Sequence, residues 1–370
     1  MMTLIETLLR TPQRPLSNDE VELLLVEPER PLLVDKVLAV HLFKAGDLNR
    51  ALELAQVVLA QEPNSENAKN VMHIMTKTRA FDAAIAFAKE HHGLFEPIIF
   101  EDMMCMLFNA MGDVPQAVAH GTRSLEMKDA AAGEVSVPDF TLTPFDPNDR
   151  SRNVIAMSLY GDDLRYFIGA RNNIVVSRYL YPGWTLRIYV DSSITPEMRA
   201  ELTREGAQVL EVGNWPAETH GLFWRFLVED DETVDTYLIR DADSVMNLRE
   251  RMAVEDWLEA DRAFHVMRDN PQHSEMILAG MWGARRGNIG GMQERIKTFL
   301  AKAPVALNNV TLDQQFLRNE IWPIVKHSVL CHDTYLGFGE TRPFPRIATL
   351  PQHVSVGEND WVNYRPGSPP

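Results

Sequence analysis

Cysteine is nearly missing from this chain: Cys105 and Cys331 are the only two in 370 residues. That excludes a disulfide framework and a cysteine-based zinc site, and it fits a reducing compartment. Basic charge is in deficit, with 36 Lys and Arg against 52 Asp and Glu and a formal net charge of −16. A general nucleic-acid or anionic-membrane binder needs a basic face and is excluded, although a local basic pocket for a phosphate is not. No apolar run approaches the roughly 18 residues of a membrane span. The opening MMTLIETLLRTPQRPL lacks the basic start and apolar centre of a secretion signal, and Glu6 and Arg10 interrupt it at helical spacing. The expectation is a cytoplasmic protein.

What is present suits a soluble globular chain, with 45% hydrophobic and 24% charged residues. The length is too great for one ordinary core, so two domains are expected. Residues 20–128 are helical in pattern and repeat themselves. Gly46, Arg79 and Gly112 recur at a constant interval, and each is followed five positions later by alanine: Ala51, Ala84 and Ala117. Apolar Leu52, Ile85 and Val118 come next, and small Ala55, Ala88 and Gly121 follow. Glycine permits a tight turn, and a small alanine lets two helices approach closely. Such helical pairs stack because one alone cannot bury its apolar face. The pattern resembles tetratricopeptide repeats, so residues 1–128 are expected to form an all-α repeat domain.

Residues 129–152 carry prolines and little periodicity, which reads as a linker. Beyond it, short apolar runs such as NVIAMSLY, LRIYVD and TYLIRD alternate with helical stretches such as DLRYFIGARNNIVVSRYL. That is β-α-β-α order, which implies a mostly parallel sheet covered on both faces, over residues 153–345. Residues 346–370 form a proline-rich tail that either closes over the site or packs on the sheet. Ligands of such sheets bind beyond the carboxyl ends of the strands. The stretch YLIRDADSVMN places Asp241 and Asp243 at one such end. Residues i and i+2 of an extended segment point the same way, so both carboxylates can meet one hard cation, Mg²⁺ or Mn²⁺. Its open positions suit diphosphate oxygens. The plain alternative is two solvated loop aspartates, with Arg240 a simple salt-bridge partner.

Further segments stand in a definite order around this pair: GLFWRFLV before it, then FHVMRDNPQHSEMILAGMWGA, TLDQQFL and HSVLCHDTY. Together they resemble GT-A (Rossmann-like) glycosyltransferases, nearest to the retaining family 8 type, over about half of the chain. The resemblance implies transfer of a sugar from a nucleotide-diphosphate donor, most often a UDP-sugar, with Mn²⁺ or Mg²⁺ held by Asp241, Asp243 and a late histidine. His332 is the candidate, with His327 the alternative. It further implies donor contacts from Arg225, from Ser158, Leu159 and Tyr160 after the first strand, from Asp191 to the base, and from Ala279 and Gly280 beside the sugar. Leu278 stands where the family carries asparagine. Asp269 matches an acid on the sugar hydroxyls. Asp313 and Gln314 match the family's Asp-Gln pair, with Gln314 beneath the anomeric carbon. Plainer roles stay open for each: a paired or snorkelling Arg225, a helix N-cap at Asp191, and a turn residue at Asp269. If the enzyme inverts instead, Asp269 or Asp313 serves as the base.

Two other functions fit parts of the pattern. DADSV is similar to the nucleophile motif of haloacid-dehalogenase-type phosphatases, which normally sits on the first strand. A non-catalytic repeat scaffold with a degenerate transferase domain is the other. On the transferase reading, the net-acidic repeats recruit a protein or glycan acceptor, or serve packing or dimerisation.

Overall fold

The computed structural model describes residues 2–12, 14–137, 139–212, 221–302, 311–346 and 355–358, in two compact units that divide between Met127 and Lys128. The first unit is helical: α1 (Met2–Arg10), α2 (Asn18–Leu25), α3 (Leu32–Ala45), α4 (Leu48–Gln61), α5 (Ser65–Lys77), α6 (Phe81–Glu90), α7 (Pro97–Met111) and α8 (Val114–Ala132). Helices α3/α4, α5/α6 and α7/α8 are three hairpins that share one turn chemistry. Gly46 closes α3 at φ +84 and Gly112 closes α7 at φ +81, the left-handed conformation that glycine adopts without a steric cost. At the corresponding turn after α5 the residue is Arg79, at φ +60. Ala51, Ala84 and Ala117 are each fully buried, where a larger side chain would push the paired helices apart. Side-chain oxygens of Asp47 and Asn64 accept from the first turns of α4 and α5.

The division of the chain falls inside α8, which runs to Ala132, so the expected linker at 129–152 starts as helix. Buried Lys128 donates to the Ser274 carbonyl at 2.7 Å and the Glu275 carboxylate at 2.9 Å, fixing the start of the second unit to its own body.

The second unit is a mixed α/β layer structure. Its strands are β1 (Asn153–Leu159), β2 (Thr185–Val190), β3 (Gln208–Glu211), β4 (Thr236–Arg240), β5 (Phe264–Arg268), β6 (Met281–Arg285), β7 (Val329–Asp333) and β8 (Thr341–Arg342). They lie in the order β3-β2-β1-β4-β6-β5-β7-β8. All neighbours are parallel except β6, which runs against both β4 and β5. Every residue of β1, β4, β5 and β6 is buried, as the unbroken apolar runs require for a sheet covered on both faces. Helix α9 (Leu164–Leu180) packs over β1 and β2 through Phe167, Ala170 and Ile174, and the helix Leu248–Glu259 adds Val254 and Trp257 to the same core.

Because β6 is reversed, Arg240 at the end of β4 pairs with Met281 at the start of β6. One edge of the sheet therefore collects the residues after β1, β4 and β5 together with those before β6. Residues 355–358 of the expected tail dock there. Val356 is buried, Ser244 donates to the Gly357 carbonyl at 3.2 Å, and Asn247 to the Ser355 carbonyl at 3.0 Å. Among the described residues no helix is long and apolar enough to cross a membrane.

Candidate active site

A cavity of about 410 Å³ opens along that edge. Its walls include Ser158 and Tyr160 after β1, Asp241 and Asp243 after β4, Ala279 and Gly280 before β6, and Arg225, Asp313 and Gln314. Nine of the thirteen residues singled out from sequence thus face one space. The strand ends at Arg240, and the aspartates sit in a turn rather than in an extended segment. It is the turn, not strand periodicity, that directs both carboxylates into the cavity. Ala279 and Gly280 likewise form a turn before β6 rather than part of the strand. Arg240 points elsewhere. Its guanidinium is buried against Glu250 at 2.7 Å and the carbonyls of Ile239 and Trp282.

Arg225 organises the floor. It lies on a 3₁₀ helix, Gly221–Asp230, and its backbone N–H donates to Ser158 Oγ at 3.0 Å. One arm of its buried guanidinium holds Asp241, and the other donates to Asp313 Oδ2 at 2.9 Å. Asp313 Oδ1 accepts from the Gln314 N–H at 2.9 Å. Burial pushes the Asp313 carboxyl up, helped by Asp241, while Arg225 opposes the shift. Burial also pushes the Tyr160 hydroxyl up to about 12, so it keeps its proton.

The Asp243 carboxyl is raised as well, first by burial and then by the charge of Asp241. Arg165, at the start of α9, stands 3.7 Å away and offsets part of this. Two neighbouring carboxylates facing one cavity form an oxygen donor set suited to a hard divalent cation. Gly280 makes room for them, since a Cβ there would lie 2.1 Å from Asp241 Oδ2. Among the described residues no cluster of three or more His, Cys, Asp or Glu assembles as a metal cage.

Four sequence-predicted residues are not brought to the cavity. His332 lies on β7 opposite Met267 of β5. Strands β6 and β5 stand between β4 and β7, a separation of about 14 Å at the usual strand spacing. Both ring nitrogens are occupied, Nδ1 by His265 at 2.8 Å and Nε2 by Asp256 at 3.0 Å. His327 is no substitute, because it pairs with Glu134 at 3.6 Å outside this cavity. The Asp269 carboxylate is turned inward, where it binds Arg249 at 2.6 Å, the Thr334 hydroxyl and the Val356 N–H at 2.9 Å. Asp191 accepts from the N–H of Ser193 at 3.0 Å, and Ser193 in turn accepts from the Gly161 N–H. The helix that follows is capped by Thr195, not by Asp191. Leu159 is buried in the apolar core beneath α9.

The cavity also holds residues that the sequence did not single out: Tyr166, Ser244, Met281, Gly357 and His273. His273 lies in the turn after β5. Its Nδ1 accepts from the Asp269 N–H at 2.9 Å, and burial pulls its pKa down to about 4. A polar cluster between two apolar runs, RDNPQHSE, is the signal that marked this loop.

No protein-family model matches the chain, and no curated protein sequence matches it. Several solved structures are loosely similar. A mutant O-GlcNAc transferase of Thermobaculum terrenum matches at 12% identity and a TM-score of 0.38, over 65% of this chain and 41% of that one. A Pyrobaculum calidifontis mannosyltransferase, in complex with GDP-Man and Mn²⁺, matches at 13% identity and 0.32, over 54% and 64%. A glycosyltransferase involved in glycosylation of the major capsid of PBCV-1 matches at 14% and 0.30, over 50% and 82%. This chain therefore spans less than two thirds of the first two proteins. These neighbours are glycosyltransferases, and likeness at this level is too loose to assign a donor, a metal or an acceptor.

Proposed function

We propose that the protein is a metal-dependent glycosyltransferase that moves a sugar from a nucleotide-diphosphate donor, a UDP-sugar in the first instance, to a protein or glycan acceptor. The observation that carries this reading is the meeting of Asp241 and Asp243 in one cavity, with the Asp243 carboxyl raised by burial and then by its neighbour. Arg225 and Arg165 offset part of this charge, and both carboxylates still present oxygen donors to the cavity. Asp241 and Asp243 would hold a Mn²⁺ or Mg²⁺, which would supply Lewis-acid stabilisation to a departing diphosphate. Arg225 holds Asp241 and Asp313 in place. Ser158 and Tyr160 form the wall for the nucleoside, Ala279 and Gly280 leave space for the sugar, and protonated Tyr160 donates a hydrogen bond.

Two features support a retaining outcome. The Gln314 amide oxygen is buried and without a protein partner, so it is available to a developing positive charge. The carboxylates considered as inverting bases, Asp269 and Asp313, are already committed to Arg249 and Arg225. We read the helical hairpins of residues 1–128 as tetratricopeptide-like repeats that hold the acceptor.

The test is thermal denaturation of the full chain with UDP, GDP and their sugars, with and without Mn²⁺. Stabilisation by a nucleotide that requires the metal and disappears in Asp243→Asn is the expected result. No response to any nucleotide sinks the reading in favour of a non-catalytic scaffold.

A further inference from the structure

The strand order lays the cavity out in sequence: β1, β4, β6, β5. Tyr160 stands at the β1 end, the aspartates follow β4, Gly280 precedes β6, and His273 lies beyond β5. Three strand spacings, about 14 Å, separate the two ends. A nucleotide sugar laid with its nucleoside at Tyr160 and its diphosphate over the aspartates puts its sugar on the β6–β5 side.

His273 is fixed in a particular chemical form there. A backbone N–H donates to Nδ1, so Nδ1 carries no proton, and the neutral ring carries it on Nε2. The turn that sets this is closed by two more bonds, His273 N–H to the Asn270 carbonyl and Gln272 N–H to Asn270 Oδ1, both 2.9 Å. Nε2–H has no protein partner among the described residues. Gln314 Oε1, in the same cavity, is a buried acceptor without a partner. The two form an uncharged donor and an uncharged acceptor, the complement of a polyhydroxy ring rather than of a phosphate, which calls for cationic partners.

We infer that His273 is a sugar-reading residue, donating from Nε2 to a hydroxyl oxygen of the transferred sugar and so setting which nucleotide sugar is accepted. This rests on the nucleotide-sugar reading above. The ring stays neutral at physiological pH, so the bond is an ordinary neutral one and discriminates between sugars through the position of a hydroxyl.

The experiment is calorimetric titration of the full chain, in Mn²⁺, with UDP and UDP-glucose and with GDP and GDP-mannose, for the unaltered protein, His273→Asn and His273→Gln. Asparagine keeps an acceptor near the Nδ1 position for the Asp269 N–H and removes the Nε2 donor; glutamine keeps a donor near Nε2. In His273→Asn we expect Kd for the nucleoside diphosphate to hold within about twofold and Kd for the nucleotide sugar to rise about tenfold. Glutamine is expected to recover most of the loss. Equal loss of both ligands in the asparagine variant, or no loss of either, overturns the assignment. Binding of no nucleotide by the unaltered protein is a different result, and it removes the transferase reading together with this one.

Discussion

A Cβ built on Gly280 would lie 2.1 Å from Asp241 Oδ2 and 3.0 Å from the Asp241 backbone nitrogen. The backbone of Gly280 is not in the left-handed region, so alanine is tolerated conformationally and the conflict is purely one of space. Gly280→Ala must displace the carboxylate that Arg225 holds. We expect a folded protein whose turnover falls about 100-fold, the scale of a reacting group misplaced by about 1 Å. A circular-dichroism spectrum and a transferase assay check both halves. Full activity would mean that Asp241 does not touch donor or metal.

Asp243 gives a prediction in pH. Its folded-state carboxyl is raised, so the cost of holding it ionised is absent below the unfolded carboxyl value and develops as pH rises through the folded one. Asp243→Asn escapes that cost. The metal-free variant should therefore be more stable than the parent at pH 7, with the advantage shrinking as pH approaches 4. Its turnover should fall by roughly 100-fold or more through loss of the metal. Melting curves from pH 4 to 7 decide the first point. A variant uniformly less stable than the parent would show that Asp243 is a structural residue.

Arg225 joins two acids that stand far apart in sequence. Arg225→Ala leaves Asp313 buried without its cationic partner, which costs about 3 kcal/mol. Arg225→Lys keeps a positive charge but cannot fork to both carboxylates, so it should lie between the alanine variant and the parent in denaturant unfolding. Equal midpoints for all three proteins would exclude the bridge as a stabilising element.

In the helical unit, Arg79 sits at φ +60 where its repeat equivalents are glycines. Arg79→Gly should stabilise the protein by about 1 kcal/mol through relief of left-handed backbone strain, less the packing of the guanidinium over Phe81. Thermal unfolding of the single variant measures it. A lower midpoint would show that the stacking outweighs the strain.

Much of this was legible in the sequence because it is local. The recurrence of Gly46, Arg79 and Gly112 reports one turn repeated, and the turn fixes the helical pairs. The apolar runs reported buried strands, and the aspartates marked a strand's end. What stayed hidden depends on strand order. A sequence does not say that β6 inserts, reversed, between β4 and β5, and that insertion carries His332 beyond reach of the aspartates. Nor does it say that Asp269 turns its carboxylate away from the cavity while its backbone fixes His273. The tail was expected to close over the site or pack on the sheet, but nothing in a proline-rich segment foretells the particular contacts of Val356 with Asp269 and of Gly357 with Ser244.

The reversal of β6 has an evolutionary side. Residues 269–280 leave β5 and enter β6 at the same edge of the sheet, so they form a cassette with both hinges beside the catalytic space. A loop anchored this way can change length and composition without shifting any strand's register. On the transferase reading, new sugar preferences would arise by exchange of this single segment, while the aspartates and Arg225 stay as inherited hardware.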